Sequence, residues 1–120
     1  MKLVDANVLL RYLIDDNKEQ AKTAADVIRN DQAYTYSEVL AEVVYVLEGV
    51  YGRSRTEIDN ALENLFDDIY VYDEDVLRCT LRIYSVSKLD FVDCLIIARN
   101  LLRNEDVFSF DKSLNKHLHF

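Results

Sequence analysis

Residues 1–13, MKLVDANVLLRYL, place two hydrophobic patterns back to back. Leu3 and Val4 read as a short apolar strand ending at Asp5, and Val8, Leu9, Leu10, Leu13 and Ile14 recur at helical spacing after Asn7. A strand that feeds directly into a helix predicts an α/β architecture.

Working outward, the alternation continues. Asn17–Asn30 reads as an amphipathic helix, Ala33–Thr35 as a short strand, and Ser37–Val50 as a helix capped by Ser37 that leaves through Gly49 or Gly52. Ser54, Arg55, Thr56 and Glu57 form the pattern of a capping box for a helix reaching about Phe66. Ile69–Tyr72 can form a strand, Asp73 can cap a helix running through Val86, and Asp90 can cap the helix from Phe91 to Asn104. Val107–Phe110 reads as a last strand ending at Asp111, followed by a helical turn around Lys112–Lys116. Strands joined by helical crossovers form parallel sheets, whose ligands bind at the carboxyl ends of the strands. Asp5 and Asp111 both fall at such predicted ends.

The chain has 120 residues, half of them hydrophobic, which suffices for one compact domain over residues 1–120. It has no proline and only two glycines, so little material exists for linkers, and helices are expected to predominate. Cys79 and Cys94 lack C-x-x-C or Cys/His ligand spacing and read as reduced, buried thiols. The longest purely apolar run, Cys94–Ala98, is far too short to cross a bilayer, and a cytoplasmic protein with no membrane contact is expected. With 22 acids against 14 Lys and Arg, the net charge of −8 has the wrong sign for gripping nucleic acid through bulk electrostatics.

Most of the acids, among them Asp15, Asp16, Asp67 and Asp68, are ordinary solvated charges. Four are placed differently: Asp5, Glu42 in VLAEVVYVL, Asp93 in LDFVDCLIIA, and Asp111 in VFSFDKSL lie in or beside apolar runs. Burying an ionised carboxylate costs several kcal/mol or more unless it is paired, so such acids need a cation or a network. At ~100° per residue Glu42 lies about 40° from Val46, at the margin of the apolar arc, whereas Glu38 points further away and reads as a solvated first-turn acid. Asp93 falls between Ile96 and Ile97, and Asp90 beside it reads chiefly as the helix cap. Converging carboxylates would stay ionised around a hard cation with oxygen ligands, Mg²⁺ or Mn²⁺; zinc is disfavoured by the absence of Cys/His spacing. His117 and His119 sit at the end of the chain and are assigned no catalytic role. A nucleophile elbow, a Walker A loop and a glycine-rich dinucleotide loop are absent.

Four segments, VDANVLLRYL, AEVVYVLEGVYGRSRTEI, LDFVDCLIIA and FSFDKSL, stand in an order and at separations that resemble the PIN-domain family, and within it VapC-type toxins. The resemblance spans nearly the whole chain. It implies a PIN-like fold, a short central parallel sheet flanked by helices, in which Asp5, Glu42, Asp93 and Asp111 bind one or two Mg²⁺ or Mn²⁺ ions. It further implies support by Asn7 and Ser109, with Ala6 departing from the Thr or Ser frequent in the family. The implied activity is metal-dependent RNA cleavage, in many such toxins of tRNA or rRNA, with a small antitoxin as protein partner and a homodimer as assembly. Arg11, Arg53, Arg55, Lys88, Lys112 and Lys116 are the candidates for contact with RNA.

Two other classes compete. A non-catalytic interaction module would use the acids as a structural network and its helices to recruit a partner. An acid-rich phosphatase would place its nucleophile in D-x-D, and Asp5-Ala6-Asn7 lacks the second acid.

Overall fold

A computed structural model of the protein describes residues 1–14 and 16–119; Asp15, read above as a solvated charge, and Phe120 lie outside the described residues. The chain divides into two compact units, Met1–Glu74 and Asp75–Phe120.

The first unit holds β1 (Lys2–Leu3), α1 (Ala6–Leu13), α2 (Lys18–Asn30), β2 (Ala33–Thr35), α3 (Ser37–Gly49), α4 (Arg55–Leu65) and β3 (Tyr70–Val71). Its three strands form a parallel sheet in the order β1-β2-β3, with Leu3 opposite Tyr34 and Thr35 opposite Val71. Two-helix crossovers connect the strands, as parallel pairing demands. The α1 helix packs on α2 and α3, and α3 packs on α4. Leu9, Val43, Ile58 and Leu62 are completely buried, and burying each such side chain stabilises the fold by about 1.5–3 kcal/mol.

Local chemistry sets the helix ends. Asn17 accepts the Gln20 N–H, and the Ser54–Glu57 capping box is complete in both directions. The expected Ser37 cap is not made: Tyr36 occupies that position without a side-chain bond, and the Ser37 hydroxyl donates to the adjacent Glu38 carboxylate instead. After α3 the chain turns at Gly52, whose φ of +63° lies where a side chain would be strained, and the following Arg53 N–H returns to the Leu47 carbonyl at 3.0 Å.

The second unit is helical. α5 (Glu74–Val86) begins at its border, and α6 (Phe91–Arg103) and α7 (Lys112–Asn115) follow. Asn104, at φ +54°, closes α6 in the left-handed conformation typical of a helix C-cap. Ile97, Leu114 and Leu118 form a buried cluster with Ile83, Leu89, Ile96 and Val107 against it, which seats α7 on α6. The buried Asn100 side chain donates to the carbonyls of Glu105 and His119 and accepts from the His119 N–H at 2.7 Å. The end of the chain is therefore held by its backbone, while His117 and His119 are exposed.

One expected element does not form. Val107–Phe110 is not a strand; among the described residues the sheet has three strands, all in the first unit. The backbone is instead drawn into local bonds, since the Ser109 hydroxyl accepts the Asp111 N–H at 2.9 Å and the Ser109 carbonyl accepts from the Asn115 amide at 2.9 Å. Phe108 and Phe110, both largely exposed, meet edge to face at 5.1 Å. Cys79 and Cys94 are free thiols, as expected; Cys94 is fully buried, whereas Cys79, expected to be buried, is partly exposed. Among the described residues no helix is long and apolar enough to cross a membrane.

Candidate active site

The Asp5 carboxylate is the N-cap of α1: its Oδ1 accepts the Val8 N–H at 3.1 Å, which fixes the side chain at the point where β1 hands over to the helix. The parallel pairing sets the carboxyl ends of β1, β2 and β3 along one edge. That edge carries Asp5, Thr35 at the end of β2, and Asp73 after β3, the last with φ +59°. Thr35 is completely buried and its hydroxyl lacks a hydrogen-bond partner, an arrangement that costs about 1–3 kcal/mol. Sequence reading passed over Thr35; the available signal was a polar residue closing an apolar strand.

Glu42 lies in the second turn of α3 and is exposed, as are Glu38 before it and Tyr45 after it. The expected position at the margin of the core is thus corrected: Val43 and Val44 turn inward and Glu42 shares the outward face. Ser37 donates to the Glu38 carboxylate and holds it below the usual carboxylate range, so Glu38 is the better satisfied of the two acids. Asn7 is exposed on the first turn of α1, where it lines a cavity of about 400 Å³ between α1 and α2. Arg11, on the same cavity, is paired with Asp16 at 3.0 Å.

In the second unit three aspartates act on one another. Asp90 Oδ1 accepts the Asp93 N–H at 2.8 Å and caps α6. Asp111 Oδ1 accepts the N–H groups of Ser113 and Leu114 at 2.8 and 3.1 Å and caps α7, while Ser109 holds the Asp111 backbone from the other side. Asp93 is half-buried, and its carboxyl is raised above the ordinary carboxylate range by burial first and then by the negative charges of Asp90 and Asp111. Asp90, read from the sequence chiefly as the helix cap and as a supporting residue of the site, is one of the two charges that load Asp93.

The premise that all four acids are buried holds only for Asp93, and partially. Asp5, Glu42 and Asp111 are exposed, because a cap aims its carboxylate at N–H groups outside the helix and α3 turns Glu42 to solvent. Asp93, Asp90 and Asp111 are brought within electrostatic reach in the second unit, whereas Asp5 and Glu42 stand on α1 and α3, which pack together in the first. Among the described residues no group of three or more His, Cys, Asp or Glu is arranged to hold a metal ion.

The donor chemistry nevertheless fits a hard cation. Asp93 is destabilised as an anion by neighbours of its own sign, each cap leaves a carboxylate oxygen unused by its helix, and the donors are all oxygen. Mg²⁺ or Mn²⁺ would relieve that load, and it is the all-oxygen donor set that favours a hard cation.

The PIN domain family model matches residues 2–117, which takes in both compact units. A VapC ribonuclease of Aquifex aeolicus (strain VF5) is 27% identical over 124 residues, spanning 97% of this chain and 91% of the relative. No solved structure matches. The order of the elements, the parallel sheet and the family match from residue 2 to residue 117 agree, and the chain belongs to the PIN-domain family.

Proposed function

We propose that the protein is a Mg²⁺- or Mn²⁺-dependent endoribonuclease that hydrolyses RNA phosphodiester bonds, acting as the toxin of a type II toxin–antitoxin pair. The observation that carries this reading is the PIN family match over nearly the whole chain, joined by the similarity to a protein named VapC ribonuclease. The same span supports treating residues 1–120 as one PIN domain, and the cytoplasm, where its RNA and a VapB-like antitoxin would be met, is the proposed location. A homodimer is part of the proposal.

Asp5, Glu42, Asp93 and Asp111 are the proposed metal ligands. A divalent cation held by them would supply positive charge to the phosphodiester oxygens and acidify the attacking water. The chain's own contribution is preorganisation. The helix caps fix Asp5 and Asp111 through backbone N–H groups, Asp90 fixes the first turn that carries Asp93, and Ser109 braces the peptide of Asp111. The Asp93 carboxyl, raised by burial and by the charges of Asp90 and Asp111, is the group whose anion a nearby cation would favour. Asn7, exposed beside Asp5, is the proposed polar support on the first helix.

A second reading, a non-catalytic interaction module, draws on Phe108 and Phe110, an exposed aromatic pair suited to a protein partner. One assay separates the two. Purified protein is incubated with a mixed RNA pool with and without Mn²⁺, beside the Asp5→Asn and Asp93→Asn variants. The nuclease reading expects Mn²⁺-dependent cleavage by the wild type and a loss of at least about 100-fold in each variant. Equal cleavage by all three sinks the metal mechanism, and cleavage by none favours the interaction module.

A further inference from the structure

An acidic protein that handles RNA must hold the phosphate backbone somewhere, and the cavities among the described residues differ in whether an acid shares the lining. The cavity at Asn7 includes Glu19, the one beside Arg53 includes Glu57, and the one beside Asn100 includes Asp106. A fourth, of about 340 Å³, lies within the second unit between the loop after α5 and helix α7. Ser87, Lys88, Ser113, Lys116 and His117 supply its polar lining, and no acidic side chain takes part.

Both walls of this cleft run directly into the acids of the candidate active site. The loop Ser87–Leu89 leads into Asp90, the cap of α6, and its shape is held by the Leu89 N–H, which donates to the Ser87 hydroxyl at 3.3 Å. On the other wall Ser113 donates its backbone N–H to the Asp111 carboxylate, so the cleft and Asp111 share the first turn of α7. Leu89, Leu114 and Leu118 belong to the cluster beneath, which makes the two walls a fixed pair. Two ammonium groups, two hydroxyls and an imidazole on rigid walls form a donor set for an anion, and its volume falls in the range of ligand sites.

We propose that this cleft binds the RNA backbone at two phosphates flanking the cut, with Lys88 and Lys116 as the charged contacts, one to each, and Ser87, Ser113 and His117 as hydrogen-bonding partners. The identity of the occupant rests on the ribonuclease reading; the cleft's preference for a polyanion does not. The inference assigns RNA binding by a chain of net charge −8 to a cleft that two lysines line without an acidic side chain.

The test measures binding apart from chemistry. Fluorescence anisotropy of a labelled single-stranded RNA 12-mer is followed in EDTA across a salt series, for the wild type, Lys88→Gln/Lys116→Gln, and the control Lys18→Gln/Lys22→Gln, which removes equal charge from the exposed face of α2. The cleft variant is expected to bind about tenfold more weakly and to lose about 1.4 from the slope of log K against log salt, near 0.7 per single-strand phosphate contact. The control is expected to follow the wild type. Unchanged binding in the cleft variant, or equal losses in both variants, overturns the proposal. Displacement of RNA by polyglutamate as effectively as by unlabelled RNA would assign the cleft to an acidic protein segment and overturn it as well. Cleft-dependent binding without cleavage in Mn²⁺ would refute the ribonuclease reading and leave the cleft standing; cleavage with cleft-independent binding would do the reverse.

Discussion

The two units treat their acids differently. In the first, Asp5 caps a helix and Glu42 stands on α3, and both are exposed. In the second, Asp90 and Asp111 also cap helices, but their charges fall on a half-buried Asp93 and make its ionised form costly. A capping carboxylate helps its helix whatever else it does, whereas Asp93 has only its place in the first turn of α6, worth about 0.3–1 kcal/mol, to set against its burden. Capping is therefore weak evidence for or against a metal-binding role, and electrostatic load is the more discriminating sign.

The largest expected effect concerns the scaffold that keeps Asp93 and Asp111 together. Ile97→Ala, in the cluster with Leu114 and Leu118, should cost about 2–5 kcal/mol in urea unfolding, because the surrounding side chains collapse only partially into the space left. A cost below about 1 kcal/mol would mean that α7 is not seated on α6 as described.

Next is Asp93→Asn, which separates function from stability. Cleavage in Mn²⁺ should fall at least about 100-fold while the metal-free melting temperature stays level or rises, since a like-charge conflict is removed. The pH dependence follows from the raised carboxyl. Burial and the Asp90 and Asp111 charges disfavour the Asp93 anion, so the wild type is unburdened below the ordinary carboxylate range and burdened as pH rises through the raised value. The stability gap between variant and wild type in EDTA should thus be present at neutral pH and vanish in acid. A variant less stable than the wild type at neutral pH would show that Asp93 carries a structural role after all.

Much of this was legible from residue patterns. The opening MKLVDANVLLRYL gave β1 and α1 because an apolar pair ending at an aspartate and a helical repeat have different periods, and Ala33–Thr35 and the Ser54 capping box were equally local signals. What was not legible depended on competition between partners. Val107–Phe110 has strand composition, but Ser109 and Asn115 capture the backbone there, and Ser37 bonds Glu38 rather than capping its own helix. The Asn100 clasp on His119 joins residues far apart in sequence, which no periodicity announces. Among the site residues, Asp93 stood out because it falls between two isoleucines. Glu42 was misjudged because a 40° offset on a wheel does not decide which side of the arc a helix buries.

The smallest expected change in stability comes from Asp5→Asn, and it turns the comparison between capping and metal binding into a measurement. Asparagine caps a helix about as well as aspartate, so the bond from the Val8 N–H survives and unfolding should shift by no more than a few tenths of a kcal/mol. Asp5→Ala loses the cap too and should cost about 1 kcal/mol. If Asp5 serves only the helix, cleavage will follow the cap: intact in the asparagine variant and reduced, if at all, through stability in the alanine variant. If its charge serves a cation, both variants lose cleavage alike despite unequal stabilities, and the loss in Asp5→Asn, where α1 is intact, belongs to the carboxylate alone.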